Sequence, residues 1–291
     1  MKGTVMHPFP LRGVALASLL LAACGDDSLG TSPGTVTASI WGEDYIEDRI
    51  PAVTAAAAGF ENGWELRYTK FLVNVGALTI ASSAGSESGS LAPYRVYDLH
   101  TLTGPLEIGR MPSLPARRYD RVSYRIAPVD AQATMGNATA ADVMLMRTGN
   151  YAVYVEGAAT RMGTTVRFRW GFGGAVTFSN CHSSETEVGL AVPSGGTASA
   201  QVTVHGDHLF YDDLQSPTAK LRFDLIAGAD ANRDGEVTLE ELAAIDLTAA
   251  PQGQYGTGSR ADVRTLRDFV TALVATIGHF NGEGHCEERR Q

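Results

Sequence analysis

The chain has 291 residues, and its 32 Asp and Glu outnumber its 23 Lys and Arg for a formal net charge of −9. Without Lys2 and Arg12, which belong to a leader segment, the balance falls to −11. That charge excludes nucleic acid and anionic lipid surfaces as electrostatic partners and suits cations.

Residues 1–23 read as a leader rather than as part of the fold. Lys2 and Arg12 supply a positive start, Gly13 to Leu21 is an apolar run too short to span a bilayer, and small residues follow. The run Leu21-Ala22-Ala23-Cys24 resembles the signal of bacterial lipoproteins. That resemblance implies Cys24 as the lipidated first residue of the mature chain. Gly25 stands where Asp would favour inner-membrane retention, so it implies an anchor in the outer membrane of a Gram-negative bacterium. The alternative is an ordinary secretory signal cut nearby. Residues 24–35, rich in Gly, Ser and Thr, have the composition of a flexible tether.

Of three cysteines, Cys181 and Cys286 remain once Cys24 carries lipid. An even pair in an oxidising compartment predicts a disulfide, with two free buried thiols as the alternative.

Residues 36–215 read as a β-sandwich domain. Val36, Ala38 and Ile40 alternate with polar neighbours; Glu65 to Ala81 is a long β-branched run, one bent strand or two; Tyr94 to Leu99 and Tyr119 to Ile126 are further strands. A hairpin is predicted over Tyr151 to Phe172, turning at Arg161-Met162-Gly163, with Val166, Phe168, Trp170 and Phe172 on one face and Arg167 and Arg169 on the other. Ser199 to His205 follows a Pro-Ser-Gly-Gly turn, and Thr139 to Met146 reads as a short helical insertion. Many short strands punctuated by turns make the fold class mainly β.

Residues 216–291 read as a helical segment packed on the sandwich. Ser216-Pro217 suits a helix start, and Leu225, Ile226 and Ala229 fall at helical spacing, although Leu221, Phe223 and Leu225 also alternate as a strand would. A second helix is predicted from Leu239 to Ile245. A third runs from Arg260 to Ile277, where Val263, Leu266, Phe269, Val270, Leu273 and Ile277 form one apolar stripe.

Between the first two helices lies D-A-N-R-D-G-E-V-T-L-E-E, Asp230 to Glu241. Asp230, Asn232 and Asp234 offer side-chain oxygens at alternate positions. Gly235 permits a tight turn, Glu236 offers its carbonyl, Thr238 a hydroxyl or a water, and Glu241 two carboxylate oxygens. The stretch resembles an EF-hand calcium loop at every position, Val237 included. The resemblance implies Ca²⁺ held by Asp230, Asn232, Asp234, Glu236 and Glu241, with the weak affinity of extracellular modules, about 10⁻⁴ to 10⁻³ M. EF-hands usually pair, and this one is single, so a structural staple is expected rather than a sensor.

Five of the seven histidines lie after Asn180. His182 adjoins Cys181, His285 adjoins Cys286, and His205 and His208 form a close pair with Asp212 and Asp213 nearby. Imidazoles with carboxylates suit Zn²⁺ or Cu²⁺, so His182, His205, His208 and His285 are candidate ligands of a second, transition metal. The Tyr151, Val153, Val155, Gly157 pattern running on to Cys181 resembles the MbnP class of bacterial periplasmic metal-binding proteins. The runs Gly42 to Glu47, His208 to Leu214 and Gly278 to Cys286 resemble uncharacterised myxobacterial lipoproteins. No catalytic fingerprint occurs. The expectation is therefore a lipid-anchored binding or structural protein, with calcium as ligand, copper or zinc as the alternative, and the membrane as partner through its lipid.

Overall fold

In the computed structural model, residues 32–184, 186–250 and 253–291 are described; the leader, Cys24 and nearly all of the tether lie outside them. The fold is mainly β. A four-stranded sheet runs in the order Gly278–Phe280, Thr197–Val204, Gly34–Trp41, Leu106–Leu114, with Thr197–Val204 parallel to Gly34–Trp41. The larger sheet follows the path Glu236–Val237, Thr164–Phe172, Val153–Arg161, Glu65–Ala81, Arg121–Ile126, Val176–Ser179, Glu287–Arg290. Among the described residues no helix is long and apolar enough to cross a membrane.

The expected hairpin pairs Val153–Arg161 with Thr164–Phe172 across Met162 and Gly163, both at positive φ. That left-handed pair is what a two-residue turn between twisted strands requires. Val166, Phe168, Trp170 and Phe172 point inward while Arg167 and Arg169 are exposed, because period two sends alternate side chains to opposite faces. Glu65–Ala81 is one continuous strand, bent where its register slips between Tyr68 and Lys70 and between Gly76 and Thr79. Such bulges add twist and let the sheet curl.

Both sheets feed one core. At its centre Phe60, Tyr68, Phe168, Trp170, Phe210 and Phe223 pack in mostly edge-to-face or tilted pairs, with Phe168 and Trp170 ring centres 4.5 Å apart. Phe210 and Phe223 come from the segment that follows the last long strand, so this cluster fixes the later chain to the hairpin.

The C-terminal segment departs from the helical expectation. No helix begins at Ser216-Pro217. Leu221 instead makes β-bridges to Phe60 and Tyr211, and only the single turn Asp224–Ala227 is helical before the acidic loop. The alternating Leu221 and Phe223 are thus a bridge and a core anchor: burial of Phe223 beside Phe60 and Trp64 outweighs helical spacing. The second helix is Leu239–Ala243, and the third is Leu266–Leu273 with a 3₁₀ turn to Thr276. Thr265 starts that helix: its hydroxyl accepts from the Asp268 amide while Asp268 caps the Thr265 amide. The final residues are strands, Gly278–Phe280 in the smaller sheet and Glu287–Arg290 at the edge of the larger.

Candidate metal centre

Strand register brings the first two histidines together. Thr203 lies opposite His279 in the antiparallel pair Thr197–Val204 and Gly278–Phe280. His205 is two residues beyond Thr203, so its side chain leaves the chain on the same side and meets His279 diagonally. The ring centres are 4.2 Å apart. The His205 amide donates to the Ile277 carbonyl at 2.8 Å, which extends the ladder past the last paired residue.

His208 arrives by a 3₁₀ turn, Asp207–Phe210. The buried Tyr68 hydroxyl donates to the Gly206 carbonyl at 2.6 Å and Phe210 enters the aromatic core, so the turn is held at both ends. The His208 ring lies 5.1 Å from those of His205 and His279. Its Nδ1 donates to the Thr276 carbonyl at 2.8 Å, which leaves the Nε2 lone pair free.

Glu283 and His285 come from the turn after Phe280, closed by the Phe280 amide donating to the Gly284 carbonyl at 2.8 Å. Gly284 is required there, since a Cβ would run into the carbonyl oxygens of His182 and Phe280. The His285 ring is 5.1 Å from that of His279. The disulfide Cys181–Cys286 pins this turn to the larger sheet, and such a bond fits an extracellular or periplasmic setting.

Two groups of three result: His205, His279 and Glu283, and His205, Asp207 and His208, the ligand atoms in each lying within 4.8 Å of one another. A cavity of about 340 Å³ opens onto His208, Tyr211, His279, Glu283 and His285. Glu43 stands on the other side, its carboxylate 3.5 Å from His205 Nδ1. Two buried atoms here lack any hydrogen-bond partner, Asp207 Oδ1 and His279 Nδ1, although Asp207 is only 8% exposed and His279 only 6%. Burial without a partner costs about 1–3 kcal/mol per group, so such groups normally have one.

Burial, reinforced by the neighbouring imidazoles, pulls both His208 and His279 down to about 3. Both are therefore neutral at physiological pH, the form that binds metal. Burial pushes the Asp207 and Glu43 carboxyls up, opposed by His205. The unfolded rings titrate near 6.5, so between about pH 6.5 and 3 the unfolded chain holds more protons and stability falls with falling pH. Chelator-stripped protein is expected to lose on the order of 1–2 kcal/mol per ring between pH 7 and 5. Asp207 and Glu43 act in the opposite sense over part of that range. Denaturant melts at both pH values check this; equal stability would contradict two buried neutral rings.

The four histidines expected as ligands divide. His208 and His285 line the cavity, and His205 packs against His208 and His279. His182 does neither: it lines a separate hollow over the disulfide with Asn180, Ser184 and Glu287, and its amide donates to the His285 carbonyl at 2.9 Å. Asp212 and Asp213 are structural. Asp212 holds Arg222 and the Lys220 amide, and Asp213 accepts from Gln215, Ser216 and Gly253. His279, Glu283, Asp207 and Glu43 join the cluster without having been singled out. The spacing of His279, Glu283 and His285 was the available signal, but only the register of the last strand gives it meaning.

The acidic loop takes a tight conformation. Asp230 accepts from the Asp234 and Gly235 amides at 3.2 and 3.0 Å, Asn232 from the Asp234 amide at 2.8 Å, and Gly235 has φ +80°. Glu241 caps Thr238 at 2.9 Å and also accepts from the Ala231 amide at 3.2 Å. Glu236–Val237 pairs with Arg167 and Phe168 of the hairpin, and Trp170 Nε1 donates to the Val237 carbonyl at 2.9 Å. The carboxylates of Asp230, Asp234 and Glu241 do not converge as the histidine groups do: among the described residues only the two groups above meet the 4.8 Å span.

No family model and no curated protein matches the chain. Among solved structures it is similar to MbnP from Methylosinus trichosporium, at 11% sequence identity and a TM-score of 0.29, over 80% of this chain and 96% of that chain. Similarity this distant assigns neither ligands nor activity.

Proposed function

We propose that this is an exported metal-binding protein whose histidine cluster holds copper or zinc. The observation that carries the reading is the pair of buried, partnerless atoms, Asp207 Oδ1 and His279 Nδ1, within a cluster of imidazoles that opens to solvent. A metal ion bound among neighbouring ligand atoms would give such an atom its partner. The role is binding rather than catalysis, and the Cys24 lipid would hold the body at the envelope. Protein purified without tag or chelator is expected to contain copper or zinc by elemental analysis. His205→Ala and His279→Ala should each remove most of it. Wild-type protein that takes up neither ion would end this reading.

A second reading concerns calcium at Asp230, Asn232, Asp234, the Glu236 carbonyl and Glu241. It is favoured by the loop's turn at Gly235 and by its backbone pairing to the hairpin, which replaces the missing partner loop. Calcium there would staple the chain between Asp224 and Ala243 to the larger sheet.

A further inference from the structure

The histidine cluster has more donors than one ion uses. A structural zinc takes four ligands, and a catalytic one three with a water. Here His205, His208, His279, Asp207 and Glu283 fall into two separate groups rather than one, and His205 is the member common to both. Each group also contains its own buried atom without a partner: His279 Nδ1 in the first, Asp207 Oδ1 in the second. A single ion among His205, His279 and Glu283 would leave Asp207 Oδ1, on a side chain only 8% exposed, without a partner. A single ion at the other group would leave His279 in the same position.

We propose that the cluster holds two divalent transition-metal ions that share His205, one bound with His279 and Glu283, the other with Asp207 and His208; this rests on the metal-binding reading above. His205 has two ring nitrogens, Nδ1 3.5 Å from the Glu43 carboxylate and Nε2 3.5 Å from the Gly282 carbonyl, and each takes one ion in place of its long contact. The ring N–H proton passes to solvent as the second ion binds. The His208 Nδ1–H donated to Thr276 directs its Nε2 toward the second ion. Glu43 beside His205 Nδ1, together with Asp207 and Glu283, balances much of the added positive charge. Water from the cavity completes each coordination shell.

The test is stoichiometry. Stripped full-length protein is titrated with zinc in millimolar calcium, which keeps the acidic loop occupied, and bound zinc is counted by native mass spectrometry. Two zinc ions per chain are expected, falling to one in Asp207→Asn and to one in Glu283→Gln. The two-copper form should give a Cu(II) resonance signal integrating well below its copper content, through coupling across the shared ring. One zinc in the wild type overturns the sharing while leaving the metal-binding reading intact. None overturns both. Two zinc ions retained by both variants would place the metal elsewhere and overturn the proposal. The wild-type count needs no variant to fold.

Discussion

The double variant Cys181→Ser/Cys286→Ser is expected to melt roughly 10 °C below the native chain, reading about 4 kcal/mol against the entropy of unfolding of a chain this long. The bond closes a loop with a sequence separation of 105 residues, for which the chain-entropy model gives about 4–5 kcal/mol as an upper figure. The loss is not spread evenly. Cys286 is the covalent tie that holds His279, Glu283 and His285 against the sheet, and the edge strand Glu287–Arg290 has only Val176–Ser179 beside it. Hydrogen exchange should therefore rise first over residues 278–291, and metal uptake should weaken with it. An unchanged melting temperature would mean that strand pairing alone holds the last residues, and the bond would lose its assigned role.

Calcium is expected to raise the stability of the native chain by about 2.7 kcal/mol at a hundredfold excess over its dissociation constant, and to do nothing for Glu241→Ala. Glu241 would supply two oxygens to the ion, and in the structure it caps Thr238. Its replacement therefore also costs on the order of 1 kcal/mol of helix capping, visible without calcium. Thr238→Ala should weaken binding less, because its contribution can pass through a water. Calorimetry on chelated protein decides between them. Identical calcium isotherms for wild type and Glu241→Ala, or no binding by either at millimolar calcium, would reduce the loop to an acidic turn.

Much of the fold could be read locally. The hairpin was legible because Val166 to Phe172 alternates without a break around Met162-Gly163, so period and turn agree. The disulfide followed from having two cysteines left to pair. The C-terminal segment misleads because helical spacing over four or five residues is too short a run to outweigh core contacts. Leu221 and Phe223 are placed by the aromatic core of another segment, Phe60, Trp64 and Phe168. Conversely, Thr265 and Asp268 carried a capping signal that a stripe running from Arg260 passes over. The candidate metal site was half legible. His205 and His208 are close in sequence, but His279 joins them only through the register opposite Thr203, and no local pattern encodes a partner some 75 residues away.

The place of that last strand sets the order in which the molecule can be finished. A chain made and exported from its N-terminus delivers His205 and His208 long before His279, Glu283 and Cys286. Until those arrive, the Thr197–Val204 strand lacks its outer neighbour and neither group of ligands is complete. A nascent or half-translocated chain therefore offers scarce metal no finished trap. On the proposed reading, loading would be deferred to the compartment where the disulfide also closes, so the bound ion would be whichever is present there rather than at the site of synthesis.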